Sequence, residues 1–450
     1  MSKPVFTHSQ DQLKQIAQDM LRFAREKGAS DAAVEVSEGG GLSISVRKGK
    51  IETIEQNRDK GIGITVYIGQ QRGNASTSDF SSQALRDTVD AAYNIARFTA
   101  EDDCAGLPDA DLLEMQPRDL KLCHPWLITA EEAIELAKRT EAAAFAVDKR
   151  ISNSEGASVH AQQSHFVSAN SRGFMGGYPF SRHTIAVAPI AGKGARMQRD
   201  DWYSSHRNPK KLAAPEEIGR YAAERALARL HARKLDTRKC PVLFEAPLAA
   251  GLLGAFVQAT SGGALYRKST FLLDSLGTRI FPEHIQITED PHIIGGVGSS
   301  PFDDEGVRTQ QRSVVDNGIL NGYFLSTYSA RKLGMQTTGN AGGSHNLSLT
   351  SSHTKRGDNF VAMLKKLGTG LLVTELMGQG VNYVTGDYSR GASGYWVENG
   401  VIQYSVEEIT IAGNMREMFM QMVAIGADTL VRGTKQTGSI LIESMTVAGS

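Results

Sequence analysis

The sequence predicts an α+β protein: an N-terminal domain of helices and antiparallel sheet over residues 1–235, then a glycine-rich, sheet-dominated C-terminal domain over residues 236–450. Three observations carry this. Apolar residues recur with helical spacing behind two capping boxes, Ser9 with Gln12 and Thr129 with Glu132. Between and after those runs the apolar period drops to two, as in a half-buried strand. In the second half, Asp316-Asn317-Gly318 and Glu398-Asn399-Gly400 each separate two strand-like runs. Asn-Gly is the strongest short-range hairpin signal, because both turn residues need positive φ.

Taken in order, Leu13, Ile16, Ala17, Met20, Leu21 and Ala24 form one face of a helix that ends near Gly28. Four short strands follow, around Val34, Ile44, Ile51 and Ile64, with Gly39-Gly40-Gly41 and Arg47-Lys48-Gly49-Lys50 as turns. Asp79 is placed to cap the next helix, which carries Leu85, Val89, Ala92 and Ala96. Residues 99–125 read as a long connection, and Thr129 opens a third helix. From Arg150 to His206 short strands alternate with turns at Asn153–Gly156, Ser171–Gly173 and Gly192–Gly194. Pro215-Glu216-Glu217 starts a fourth helix, its acids at the positive end of the helix dipole. Beyond residue 235, Pro241 to Glu245 reads as a strand feeding a helix from Pro247 to Gly263, with Pro at its start and Gly262-Gly263 as its stop. That helix carries no ionisable side chain, and its internal glycines, Gln258, Thr260 and Ser261 make it a buried helix rather than a membrane span.

Charge and cysteine content narrow the function. Lys and Arg number 49 and Asp and Glu 49, so no basic excess points to nucleic acid or a membrane surface. Three scattered cysteines, Cys104, Cys123 and Cys240, imply no disulfide framework or zinc knuckle, and read as thiols of a reducing compartment. The N-terminus leads into a polar amphipathic helix without an apolar export segment, so a cytoplasmic protein is expected.

The usual signatures of chemistry are missing. No His is followed by Glu, no Gly-x-Ser-x-Gly elbow occurs and no phosphate loop has the required spacing. His160 and His165 are five apart on a strand, hence on opposite faces, and read as exposed polar residues rather than metal ligands. Asp303, Asp304 and Glu305 before Gly306 read as a solvated turn with a cation or a basic peptide as the sharper alternative. Gly339 to Gly343 and Gly386 to Gly391 read as tight loops against a ligand or a neighbouring strand.

Five blocks resemble a known family: Ser269-Thr-Phe-Leu-Leu-Asp-Ser-Leu-Gly277, Pro301-Phe-Asp-Asp-Glu-Gly-Val-Arg308, Tyr328-Ser-Ala-Arg-Lys-Leu-Gly334, Thr374-Glu-Leu-Met-Gly-Gln-Gly380 and Gly386-Asp-Tyr-Ser-Arg-Gly391. They are similar to the TldD/PmbA family, within it to the PmbA (TldE) branch. Thr65-Val-Tyr67, Arg97-Phe-Thr99 and Glu408-Ile-Thr-Ile-Ala-Gly413 extend the likeness over essentially the whole chain. The resemblance implies a two-domain α+β subunit that pairs with a TldD-like subunit in a cytoplasmic metalloprotease. Its substrates would be small or unfolded polypeptides, among them a peptide-antibiotic leader and a plasmid antitoxin, from which the older description as a modulator of DNA gyrase follows. In TldD the metal is held by a His-Glu-x-x-x-His helix and a Cys near the C-terminus. The same positions here fall at Gly254, Ala255, Ala259 and Thr437. None can ligate zinc or act as its general base. The resemblance thus implies a subunit with no metal or cofactor of its own, with zinc in the partner subunit and a homodimer when the partner is absent. Two alternatives stand beside it: a metallopeptidase with an atypical site built from residues such as His345, His353 or Asp387, and a gyrase-related adaptor without proteolytic role. Residues expected to line a peptide groove are Arg267, Lys268, Asp303, Asp304, Glu305 and Arg390, since strand addition at a sheet edge needs backbone more than special side chains.

Overall fold

A computed structural model describes residues 6–449. The reading of the N-terminus rests partly on residues 1–5, which lie outside that range.

Helix α1 (Gln10–Lys27) begins with the expected capping box, Ser9 and Gln12 exchanging side-chain and backbone bonds, and ends at Gly28 in the left-handed region. Strands β1 (Asp31–Arg47) and β2 (Lys50–Ile68) then form one long hairpin instead of four short strands. Its turn is at Lys48 and Gly49, with φ of 51° and 70°. The expected turn at Gly39-Gly40-Gly41 lies in mid-ladder, with Gly40 opposite Arg58 and Gly41 opposite Asn57. Glycine is needed there for close approach. A Cβ on Gly39 would sit 2.6 Å from Ser164 Oγ, and one on Gly41 would collide with the Ala161 carbonyl. Those neighbours belong to the next strand in space. The expected turn at Asn153–Gly156 is likewise an irregularity inside a 20-residue strand.

Strand β3 (Gln71–Thr77) pairs with the end of β2, and helix α2 (Ser82–Phe98) follows. Its cap is Ser81, while Asp79 accepts the Ser81 N–H at 2.8 Å, one step upstream of the expected role. Helix α3 (Ala130–Val147) opens on the Thr129 capping box, strand β4 (Ile151–Asn170) pairs along β1, and α4 (Pro215–Ala228) starts on Pro215. The first sheet has eight strands, ordered β3, β2, β1, β4, Pro179–Ala191, Gln198–Arg199, with Met175–Gly176 and Trp202–His206 beside this path. Helices α1 and α2 bury Val34, Val36, Ile62 and Ile64 at one end. At the other end α3 and α4 bury Ile44, Val46, Val159 and Ile185 on the same face.

Two further sheets follow. One has five strands, Ile319–Leu320, Arg312–Asp316, Ile285–Glu289, Leu347–Ser351 and Lys435–Gln436. The other has six, Val401–Asn414, Asp387–Glu398, Gly370–Met377, Arg238–Phe244, Ile440–Ala448 and Met422–Ile425, with Val401–Asn414 also pairing with Ile440–Ala448. Helix α5 (Ala246–Ala259) lies in the core that both share, where Phe256 meets Phe281, Phe324 and Phe419 edge-on at 5.7, 6.2 and 6.3 Å. Pro247 sits in its first turn as expected. It stops at Thr260, however, and Gly262-Gly263 begin helix α6 (Gly262–Tyr266) under a Ser261 cap instead of ending α5. The chain is turned there because Gly262 N–H donates to the Phe324 carbonyl at 2.8 Å, and any side chain on Gly262 would strike Ser329. Helices α7 (Thr327–Lys332) and α8 (Phe360–Leu367) complete the set used below. Both Asn-Gly hairpins form, with positive φ at Asn317, Gly318, Asn399 and Gly400, one in each sheet. Among the described residues no helix is long and apolar enough to cross a membrane.

Candidate functional site

Helix α5 presents two different faces. Ala255 and Ala259 point into the shared core, 6% and 0% exposed. Gly254 is half-buried, and a Cβ built on it or on Gly251 would meet no atom within 4 Å. The strand Lys435–Gln436 packs against α5. Thr437, next along, is buried, and its Oγ1 has no hydrogen-bond partner. The four residues that the sequence places at the metal positions thus lie on or beside one helix.

The acidic turn at 301–306 is anchored, not solvated. Phe302 inserts into an aromatic cluster of the first sheet, 5.0 Å from the Phe174 ring, 5.6 Å from Tyr178 and 6.1 Å from Phe166. Asp303 is 3% exposed and accepts the N–H groups of Glu305 and Val307 at 2.9 Å and Ala341 at 3.0 Å. Burial and the charge of Glu305 push its carboxyl up to about 7 against those three donors. Glu305 accepts the first N–H of α7, from Thr327, at 2.8 Å. These two carboxylates staple the turn, which leaves only Asp304 exposed to a ligand.

Asp304 overhangs the side of the first sheet that carries no helix. There Ala33, Glu35, Gly63, Thr65, Asn74, Ser76 and Ser168 line a groove of about 400 Å³ with Asp304 as its rim. Desolvation in the groove, with Asp304 nearby, raises the Glu35 carboxyl above the ordinary range. Desolvation raises Asp304 too, opposed by His345. Glu35 and Asp304 thus share one groove. Sequence reasoning missed Glu35. Its signal was the alternation Val34-Glu35-Val36, which turns the glutamate away from the helices.

The other expected peptide residues scatter. Arg267 and Lys268 end α6 on the surface, Arg267 stacking over Tyr266, whose ring meets Tyr328 of α7 edge-on at 5.8 Å. Helix α7 thus touches both the Tyr266 ring beside Arg267 and, through the Thr327 N–H, Glu305 of the acidic turn. Arg390 stands on strand Asp387–Glu398 beside Tyr383 and Tyr388, its Nε buried without a partner. Of the two expected tight loops, Gly339–Gly343 faces protein, with Gly342 closing on the Asp304 carboxylate, whereas Asp387–Gly391 is not a loop but the start of strand Asp387–Glu398, paired with Thr410–Asn414.

The residues named for an atypical metal site are each engaged elsewhere. His345 bonds the Gly339 carbonyl at 3.0 Å, His353 stacks on His284 at 4.5 Å, and Asp387 accepts from Thr385 at 2.7 Å. Neither His160 nor His165 is exposed as expected: His165 is 4% exposed, its ring stacked on Phe6 at 4.0 Å, and His160 is half-buried against Ser43. Among the described residues no group of three or more His, Cys, Asp or Glu could hold a metal ion.

Three consecutive family models match the chain: the PmbA/TldA metallopeptidase domain 1 over residues 32–96, the central domain over 123–230 and the C-terminal domain over 237–449. The chain belongs to the PmbA/TldD metallopeptidase family. It is 48% identical over 439 residues to the metalloprotease PmbA of Escherichia coli O157:H7, covering 97% of each chain. To the metalloprotease PmbA homolog of Haemophilus influenzae it is 46% identical, over 98% of this chain and 97% of that one. A solved structure from Bacteroides thetaiotaomicron, a proposed modulator of DNA gyrase, superposes with a TM-score of 0.92 at 27% identity, over 98% of this chain and all of that one. TldE of Thermococcus kodakarensis superposes with a TM-score of 0.82 over 96% of this chain and all of that one; at 20% identity this speaks to the fold alone. For the metal that a PmbA/TldD metallopeptidase implies, glycine and two alanines bring no donor atom. The hydroxyl of Thr437 is not of the imidazole, thiolate or carboxylate class that zinc selects. These residues do not fit the ion.

Proposed function

We propose that this chain is the non-catalytic, channel-forming subunit of a cytoplasmic TldD/TldE-type metalloprotease, and that the hydrolytic zinc belongs to a TldD-like partner. The carrying observation is the contrast at α5: the family's fold runs through the chain while Gly254, Ala255, Ala259 and Thr437 supply no ligand. The substrates are small unfolded polypeptides such as a peptide-antibiotic leader or an antitoxin, and a gyrase connection follows from them. In this reading an extended substrate lies along the helix-free side of the first sheet. Glu35 and Asp304 select segments that carry Lys or Arg.

The test mixes purified chain with a TldD-like subunit and a leader-bearing peptide. Cleavage only in the mixture, with stable co-purification of the two chains, is the expected result. Cleavage by this chain alone, abolished by a chelator, overturns it. Within the mixture, Glu35→Gln with Asp304→Asn should raise KM for basic peptides about tenfold while kcat changes little, because the lost contacts bind substrate and transition state alike.

A further inference from the structure

Helix α4 does not seal against the six-stranded sheet. Between them lies a cleft of about 510 Å³, walled by Tyr221 of α4, Phe360 of α8, and Leu372, Tyr395, Ile402 and Tyr404 of the sheet. Its size and its aromatic lining are those of a small-molecule site, and the junction between two parts of a chain is a common place for one. Two side chains of the buried ion network also line it, Arg225 and Glu245. Glu245 stands directly before α5 without capping it. Its Oε1 accepts from Arg225 at 2.7 Å, while its Oε2 is buried and has no hydrogen-bond partner among the described residues. A buried carboxylate oxygen without a donor is costly.

The neighbouring groups are already engaged. Arg225 is divided between Glu245 and Asp200, and the exposed Arg233 guanidinium of the lining stacks over the Tyr404 ring at 4.5 Å. That stacking shows in the chain itself that this aromatic wall attracts a cation. Glu245 is left as the lining group with an unmet demand, and what it lacks is a donor. We propose that the cleft binds a small organic amine, its ammonium on Glu245 Oε2 and its apolar or aromatic body against Phe360, Tyr395 and Ile402. The head supplies the missing charge-assisted hydrogen bond. Burial raises the Glu245 carboxyl even beside Arg225, and a second cation there holds it ionised. The cleft shares no lining residue with the groove of Glu35 and Asp304. The inference concerns the chain by itself and depends neither on that groove nor on where the zinc resides.

Calorimetric titration of the full chain tests it, with phenylethylamine as the probe and 3-phenylpropionate, the same ring on a carboxylate head, as its counterpart. Phenylethylamine should bind saturably at one per chain, with a Kd in the millimolar range or tighter, and the acid about tenfold or more weaker. Glu245→Gln takes the charge from the open carboxylate and should weaken the amine about tenfold or more. Because that change also disturbs the buried network, Ile402→Lys gives a second reading that leaves Arg225 and Glu245 paired. It sets a competing ammonium on the exposed side of the cleft and should weaken the amine about as much. No saturable binding of phenylethylamine, or equal binding of the acid, overturns the proposal. So does binding that both cleft variants keep and Glu35→Gln with Asp304→Asn abolishes.

Discussion

Asp303 takes three backbone N–H groups at once while 3% exposed. Asp303→Ala leaves those donors buried and unsatisfied, and should cost about 2–4 kcal/mol of unfolding free energy in a urea titration. Glu38 lies in the middle of β1, opposite His165. Burial alone would raise its carboxyl, but the N–H groups of His8 and Thr7, at 2.9 and 2.6 Å, together with His165, hold it down at about 2. Its folded value therefore lies below the ordinary glutamate value of about 4.3, so its stabilising effect is complete above that pH and is lost as pH falls toward 2. Wild type and Glu38→Gln should differ in urea midpoint at pH 6, and the gap should narrow as the pH is lowered from 5 to 3. Neither role was legible in the sequence, because each depends on a distant backbone segment, Ala341 for Asp303 and Thr7 and His8 for Glu38: Asp303 looked like part of a solvated acidic turn, and Glu38 like one more polar residue of a strand. Gly254, Ala255, Ala259 and Thr437 were legible residue by residue, because which side chains can ligate zinc is read from their identity alone.

Helix α5 is a sharper object in three dimensions than in one. Its apolar run and Pro247 foretold a buried helix, but not that Gly251 and Gly254 would face open space while Ala255 and Ala259 face the core. Gly251→Ala with Gly254→Ala should therefore stabilise the isolated chain, by about 0.5–1 kcal/mol for each glycine replaced, read as a raised thermal midpoint. By the same geometry, rebuilding a ligand set here meets an obstacle: Ala259→His forces an imidazole into a filled core and should cost about 1–3 kcal/mol or more before any ion binds. Other elements were legible where the signal is local. Capping boxes at Ser9 and Thr129 and both Asn-Gly hairpins formed where short-range chemistry dictates them. Glycines misled where their reason is a distant strand. Gly39 and Gly41 looked like a turn and are points where β4 passes too close for a side chain. Gly262-Gly263 looked like a helix stop and begin the next helix.

Across the whole molecule, two dissimilar contacts stand out among those that join the first sheet and its helices to the rest. One is the aromatic cluster around Phe302. The other is a buried ion network in which Arg225 of α4 reaches Glu245, at the entrance of α5, at 2.7 Å and Asp200 at 3.2 Å, while Arg229 bonds Glu375. Arg225→Leu strands two carboxylates that are only 10% and 12% exposed, and should cost about 3–5 kcal/mol by calorimetry or urea titration. Both contacts lie between residues far apart in sequence, so composition and periodicity could not foretell them. The α+β class and the family were readable, since they rest on period and on ordered motifs. The groove of Glu35 and Asp304 was half readable: Asp304 belonged to a visible motif, whereas Glu35 meets it only because the acidic turn is pinned over the sheet by Phe302.

We propose that the folded chain carries the family's architecture without its metal chemistry. Metal analysis of the purified, isolated chain alongside a peptidase assay tests this most directly. Well under one zinc per chain, and no cleavage until a TldD-like subunit is added, is the expected result. One zinc per chain, with peptidase activity of the chain alone that a chelator removes and zinc restores, would contradict it.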